Sequence, residues 1–395
     1  MDDLLIIGGG PAGIMAAITA AGRGKKVTLI DKNPALGKKI LVSGNGKCNI
    51  SNSDMSLARY AGDKNFLKTA FSCFDNKTLM EFFEKRGVIL KTEGFGRVLP
   101  ITESSATIID CLLEELVFNK VTVKNGEQVL SLAAKKNSFT IKTGRNVYEA
   151  RKVLVAAGSC AYPQLGSNNS GYELAGKLGH SVIPLRPAIV PIELFGDWFH
   201  KLQGVRVEAE LIICGKEEKK TYSGELLFTK YGISGPVTLD ASLFIIDSLK
   251  NNAEVFINFL PFYREKASAA WDFRPEKPVP AFLSGFVPKK IALNLLPVLG
   301  VEISTKCKEL NRKERERIIN AFSKWPVRIK GSRPYSEAMA AAGGVATAEI
   351  NAQTMESKKV PGLYFAGEII DITGESGGYN MQFAFSSGFV AGISV

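Results

Sequence analysis

The chain has 395 residues, 45% of them hydrophobic and 23% charged. That is the composition of a globular protein of about two to three domains, and it excludes wholesale disorder and a single small module. Lys and Arg number 50 against 39 Asp and Glu, giving a net charge of +11 that favours anionic partners by long-range steering and says nothing about fold.

The start, Met1-Asp2-Asp3-Leu4, is acidic and runs straight into an apolar stretch, the opposite of a basic signal-peptide region. No apolar run approaches the roughly 18 residues that a membrane span needs. A soluble, cytoplasmic protein is expected. Leu4-Leu5-Ile6-Ile7 is a continuous apolar run, as in a strand buried on both faces of a parallel sheet. It feeds Gly8-Gly9-Gly10-Pro11-Ala12-Gly13, an Ala-rich helix from Pro11 to Ala21, and a second strand, Val27 to Ile30, ending in Asp31. This is one βαβ unit.

Apolar residues at 71, 74, 79, 82 and 83 share one helical face, so Asn65 to Arg86 reads as an amphipathic helix, and Ser104 to Phe118 as another. Val121 to Val123, Val129 to Ala133, Ser138 to Thr143 and Val147 to Glu149 read as a small antiparallel meander. Arg151 to Gly158 then forms an apolar strand closing on Ala156, Ala157 and Gly158. His180 reads as a helix C-terminal residue, where a cation suits the helix dipole. Prolines at 184, 187 and 191 mark a domain boundary.

Beyond it, Val205 to Cys214 and Thr221 to Phe228 alternate as a β-hairpin around the charged turn Gly215 to Lys220. Helical patterns follow from Leu283 to Leu299 and Arg312 to Phe322. The expected organisation is an α/β fold with one discontinuous domain, residues 1–187 and 333–395, split by an insertion at 188–332 that is β-rich first and helical after. The last 45 residues return to the first style, with a strand at Gly362 to Glu368 and a helix opening at Gly377-Gly378-Tyr379-Asn380-Met381-Gln382.

Gly8, Gly10 and Gly13 match G-x-G-x-x-G after a strand and at the start of a helix, where glycine permits a tight turn, approach of a pyrophosphate to backbone N–H groups, and close helix packing. Asp31 stands 18 residues beyond Gly13, near the position of an acid that accepts from ribose hydroxyls. Two histidines, His180 and His200, cannot build a multi-histidine metal centre, and six cysteines without a C-x-x-C pair signal no zinc ribbon or dithiol, so no metal is expected. The Lys-Lys pairs beginning at 25, 38, 135, 219, 289 and 358 are interspersed with acids and read as solvated faces, so neither nucleic acid nor membrane is the expected partner.

The strands ending at Gly158 and Glu368 resemble the second and third signatures of the two-dinucleotide-binding flavoproteins. A more specific resemblance lies in Gly37 to Ile50, Leu226 to Pro236, Gly343-Gly344-Val345, Glu349-Ile350-Asn351, Thr354 to Lys358 and Gly377 to Asn380. Across nearly its whole length the chain resembles the BaiN-type flavoproteins, which include aminoacetone-oxidase-like members. The resemblance implies a Rossmann-like FAD domain and an inserted β-barrel-like domain, with a small helical subdomain, covering the flavin. It implies FAD contacts from Gly8, Gly10, Pro11, Ala12, Gly13, Asp31, Lys32, Lys39, Ser43, Gly44, Gly46, Cys48, Asn49, Val129, Ala156, Ala157, Gly158, Gly367, Glu368, Gly378, Tyr379, Asn380 and Met381.

The chain departs from the family at Lys47, where arginine is usual and a fork of donors becomes a point charge, and at Asn168-Asn169-Ser170-Gly171, which replaces T-G-D-G. A helix start at Gly378 would suit the negative charge that a reduced flavin gathers at N1 and C2. Cys48, Tyr162, Tyr335 and Tyr379 are candidate catalytic groups, phenols being able to donate a proton, with packing roles open for each.

The expected activity is reduction of a conjugated C=C bond in a hydrophobic, steroid-like small molecule by an FAD enzyme that NADH or NADPH visits transiently. Two alternatives stand beside it: an amine or aminoketone oxidase using dioxygen, and, from the +11 charge, a nucleic-acid-associated flavoprotein or redox sensor.

Overall fold

The apolar run that opens the chain becomes a central strand. In the computed structural model, which describes residues 1–215, 218–249 and 251–395, Asp2–Ile7 pairs in parallel with Val27–Asp31 on one side and Val147–Val155 on the other. Leu4, Leu5 and Ile6 are fully buried, as a strand covered on both faces requires. Pro11–Gly22 crosses over between the first two strands, burying Ile14, Met15 and Ile18, and Pro11 occupies a first-turn position where a missing N–H is harmless.

The chain divides into two units, Met1–Arg186 with Met339–Val395, and Pro187–Ala338. Return to the first unit comes at Met339 rather than 333, because Arg333 is tied into the second by Glu193 at 2.7 Å and Glu337 at 2.6 Å.

In the first unit the sheet runs Thr122–Asn125, Val27–Asp31, Asp2–Ile7, Val147–Val155, Phe139–Thr143, Val129–Ala134, with Leu363–Phe365 also parallel to Val147–Val155. Three expectations are corrected here. The expected four-strand meander loses its first member, since Thr122–Asn125 joins the parallel edge beside Val27–Asp31. Val147 to Glu149 and the apolar strand after it are one continuous element, whose first half pairs antiparallel with Phe139–Thr143 and whose second half pairs with Leu363–Phe365. Asn65 to Arg86 is two helices, Lys64–Cys73 and Asn76–Glu84, because Asp75 accepts from Thr78 N–H at 2.8 Å and restarts the helix as its N-cap.

In the second unit an antiparallel sheet runs Trp325–Val327, Glu254–Asn258, Arg206–Cys214, Lys219–Thr229, Gly232–Ser234, Ile192–Leu194, Ile329–Ser332. Its two edge strands are consecutive in the chain, separated by Arg328 alone, so covalent continuity draws the edges together into a barrel-like sheet. The expected order of strands first and helices after is therefore incomplete: the helix Pro236–Leu249 interrupts the strands, and two strands return after the helical part. The helical stretch expected over 283–299 is split into Val279–Leu283 and Lys289–Val298. In the charged turn from Gly215 to Lys220, Lys216 and Glu217 lie outside the described residues.

His180 does not serve as a cation at a helix end. It follows the helix Ser170–Lys177 but is buried, its Nδ1 3.1 Å from Glu349 Oε2 and its Nε2 2.8 Å from Ser357 Oγ. Burial lowers its pKa from the usual 6.5, against the opposing pull of Glu349. Burial would raise the Glu349 carboxyl, but the Lys359 ammonium at 2.6 Å and the Ser181 N–H outweigh it and hold it at about 2.

The signs follow. The unfolded chain protonates His180 more readily than the folded one, so stability is whole above about pH 6.5 and drains as pH falls below it. The Glu349 contribution is present above pH 4.5 and is lost between there and about 2. Thermal unfolding followed from pH 8 to 3 is expected to show both losses. Glu349→Ala, which strips partners from His180, Ser181 and Lys359 together, is expected to destabilise the protein by about 2 kcal/mol at neutral pH.

Candidate functional site

The parallel strands of the first unit end together at Gly8, Asp31, Ala156 and Ala366. That carboxyl edge is where ligands bind in open α/β sheets. The turn after the first strand is dictated by contact. Gly8 has φ +110°, and a Cβ there would lie 2.4 Å from the Ala156 carbonyl oxygen; one at Gly13 would lie 1.9 Å from the Gly8 oxygen. Asp31 clamps the turn from the neighbouring strand, accepting Gly9 N–H at 2.6 Å on one oxygen and Asn33 N–H at 2.7 Å on the other. Lone pairs remain on both oxygens for a ribose hydroxyl.

Gly10 is different. Its φ of −84° suits any residue, and a Cβ there would meet no atom of the described residues within 4 Å. The protein alone gives no reason for glycine at that point. The helix Pro11–Gly22 starts there without a side-chain cap, so its first N–H groups are offered to an anion.

Gly126 and Glu127 donate to the carbonyls of Asn33 and Asp31 at 2.8 and 3.0 Å, which brings buried Val129 alongside the end of the second strand. Burial would raise the Glu127 carboxyl, but Thr143, Asn146 and Tyr148 donate to it and hold it low. Lys32 is half-buried, and burial lowers its pKa against the pull of Asp31. On the far side, Glu368 is occupied by Lys39 at 2.5 Å and by Ala341 N–H at 3.2 Å. The ion pair joins two residues whose expected ligand was the cofactor. Gly367 N–H is fixed by Ser387 Oγ at 2.9 Å.

The loop from Ser43 to Cys48 is the most contorted part of the unit. Gly44, Asn45, Gly46 and Cys48 all have positive φ, between 55° and 86°. For Cys48 that conformation costs roughly 1 kcal/mol, while Asn45 adopts it more readily. Lys47, the departure from family arginine, pairs with Glu103, which also pairs with Lys91. Cys48 is fully buried, and burial pushes its thiol up to about 12, a rise trimmed by its hydrogen bond with Ser43. Burial thus favours its protonated form, the opposite of the lowered pKa of a reactive thiolate.

Next to it, Asn49 Oδ1 is buried without a hydrogen-bond partner among the described residues. It lies 2.9 Å from where a Cβ on Gly378 would stand, at the start of the helix Tyr379–Ile393. Two residues missed in the sequence fix that start. Asn52, buried in a two-residue strand, donates through Nδ2 to the Gly377 carbonyl at 3.0 Å, and Tyr60 donates to the Tyr379 carbonyl at 3.0 Å. The Asn380 side chain closes the loop on Gly374 at 2.9 and 2.8 Å, which leaves its backbone for a ligand. Ala157 and Gly158 follow the end of the strand Val147–Val155, Gly158 at φ +70° with open space where a Cβ would stand, and Met381 lies in the first turn of the helix Tyr379–Ile393.

The catalytic candidates separate. Tyr379 is buried against Tyr60, ring centroids 5.5 Å apart. Tyr162 is half-buried at φ +57°, its phenol raised by burial and so protonated. Tyr335 belongs to the second unit.

The sequence profile of the HI0933-like protein Rossmann domain matches residues 2–394. The chain belongs to that family. It is 34% identical over 99% of its length to the 3-dehydro-bile acid delta(4,6)-reductase of Clostridium scindens, covering 98% of that protein. It is also 32% identical over 98% of its length to the ribosomal RNA dihydrouridine synthase of Escherichia coli, covering 96% of that protein. Its fold is similar, with a TM-score of 0.52 at 14% identity, to a 3-ketosteroid-delta4-(5alpha)-dehydrogenase from Rhodococcus jostii RHA1, over the whole chain and 96% of that structure.

The chain is an FAD-dependent oxidoreductase of this family, and its residues fit a flavin dinucleotide: a glycine cradle at Gly10 that a Cβ would fill, an acid beside it, and an orphaned Asn49 oxygen at a helix start. Among the described residues no group of His, Cys, Asp and Glu could hold a metal ion, and no helix is long and apolar enough to cross a membrane.

Gly10→Ala is expected to leave the apoprotein within about 1 kcal/mol of wild-type stability and to weaken FAD binding at least about tenfold, whereas Gly13→Ala should fail to fold; thermal melts and flavin fluorescence distinguish the two. Cys48 is expected to resist iodoacetamide in the folded protein at pH 8 while exposed Cys73 reacts, as peptide mapping would show.

Proposed function

We propose that this protein reduces a carbon–carbon double bond conjugated to a carbonyl in a flat, apolar, steroid-like substrate, with NADH or NADPH as electron donor. The observation that carries the proposal is the pair of uncapped helix starts at Gly10 and Gly378, in a chain 34% identical over nearly its full length to a bile-acid reductase. FAD, when bound, supplies hydride acceptance and donation.

The chain's own residues do the rest. The first turn of Tyr379–Ile393 would offer N–H donors and a partial positive charge to the flavin. Asn52 and Tyr60 fix that turn, and Asp31 with the Gly8–Gly13 turn would hold the dinucleotide. Tyr162, a half-buried phenol at φ +57° four residues past Gly158, is assigned the role of donor to the substrate α-carbon. The sequence holds a single G-x-G-x-x-G after a strand, so the nicotinamide cofactor is a transient visitor rather than a tenant of its own domain.

A second reading is favoured by the net charge of +11 and by the ribosomal RNA dihydrouridine synthase relative. The uracil C5=C6 bond is conjugated to the C4 carbonyl, so the same chemistry would serve. It predicts RNA retention that falls steeply with salt.

Anaerobic titration of the yellow holoenzyme with NADH and with NADPH is expected to bleach the visible flavin band, and a 3-oxo-4-ene steroid is expected to restore it faster than a uridine-containing RNA. Restoration by RNA alone would select the second reading; bleaching only by an amine would discard both. Tyr162→Phe is expected to leave bleaching intact and slow substrate-driven restoration by about 10²-fold or more.

A further inference from the structure

Phe95 is 91% exposed, the most open of the large apolar side chains described in this chain, and it sits at φ +63°, a conformation that glycine adopts freely and a bulky side chain rarely does. It is flanked by Gly94 and Gly96, and the short turn Gly94–Gly96 leads into the strand Arg97–Pro100. Neither burial nor backbone preference accounts for a phenyl ring here.

The turn is nevertheless anchored. Asn52 Nδ2 donates to the Phe95 carbonyl at 3.0 Å and, through the same nitrogen, to the Gly377 carbonyl at 3.0 Å. The Ser53 N–H donates to the Gly96 carbonyl at 2.7 Å, and a Cβ on Gly96 would collide with Asn52 Oδ1 at 2.3 Å. One buried amide therefore joins the tip that carries Phe95 to the glycine turn from which the helix Tyr379–Ile393 starts. An exposed aromatic ring in a strained conformation is thus one side chain, Asn52, away from the turn that starts the helix Tyr379–Ile393.

We propose that Phe95 is a specificity-determining residue that lays its ring against the apolar face of a flat substrate at the mouth of the flavin site. The inference rests on the steroid-like reading above. Strain found on an exposed side chain beside a ligand site is a sign of function rather than of folding. An aromatic ring gives a large contact area with only two torsions to immobilise, which suits a planar apolar partner. Asn52 is a positioning residue for both the ring and the helix start.

The test is equilibrium titration of the oxidised holoenzyme with a 3-oxo-4-ene steroid, read by the shift of the visible flavin band, in wild type, Phe95→Gly and Phe95→Tyr. Wild type is expected to respond. Phe95→Gly is expected to keep its full FAD content, to melt at the wild-type temperature or above because the strain is relieved, and to bind the steroid at least about tenfold more weakly. Phe95→Tyr should stay within about threefold of wild type.

Equal binding by wild type and Phe95→Gly overturns the inference and leaves the enone-reductase reading standing. A lower melting temperature or loss of FAD in Phe95→Gly would show a structural residue and also overturns it. A wild type that neither binds nor reduces the steroid brings down the steroid reading and, with it, the role given to Phe95.

Discussion

The approach of Gly8 to the Ala156 carbonyl governs the cofactor end of this fold. Where the first strand ends, the backbone turns so close to Ala156 that a Cβ on Gly8 would lie 2.4 Å from its carbonyl oxygen, and Gly13 then lets the following helix settle on Gly8. Because the two strands are parallel and adjacent, their ends, the helix start and the Asp31 clamp come to one place without any long loop. The N–H groups that remain unpaired at that helix start are a consequence of the geometry rather than an added device. The site is built chiefly from backbone, so its chemistry resides in what it holds.

Much of this was legible in the sequence, because the legible parts are local. A strand buried on both faces writes a continuous apolar run, and a turn that admits no Cβ writes glycine. Leu4 to Ile7 and Gly8 to Gly13 could hardly encode anything else. The parts that eluded sequence reasoning are those decided at a distance. Asp75 restarts a helix that the apolar stripe alone would have continued, and Thr122–Asn125 sides with the parallel edge because Val27–Asp31 offers an unpaired flank there. His180 is buried through Glu349 and Ser357, both far along the chain. Asn52 was invisible for the same reason, since its worth lies in two carbonyls, of Phe95 and Gly377, that are remote from each other in sequence.

Charge is distributed so that polarity near the cradle is largely neutralised in pairs. Lys39 meets Glu368, Lys47 meets Glu103, and Asp31 accepts one backbone N–H on each oxygen. What a dinucleotide meets beside the remaining lone pairs of Asp31 is a field of helix starts and glycine backbone, which reads a phosphate by shape and dipole. The net charge of +11 bears on encounter more than on chemistry.

The chain order of the first unit has a consequence for how the protein is made. The second half of the strand Val147–Val155 is flanked on one side by Leu363–Phe365, and the helix Tyr379–Ile393 comes later still in the chain. Emerging from the ribosome, Val153 must wait for Leu363 while the whole of Pro187–Ala338 is synthesised in between. The inserted unit has all its strands once Ile329–Ser332 appears, its edges being joined through Arg328, but the cradle has no second wall until Leu363–Phe365 and the helix from Tyr379 have followed. A chain halted before Leu363 would thus carry the glycine turn yet lack the strand and helix that complete the cofactor's seat, so uptake of FAD reports that synthesis passed both.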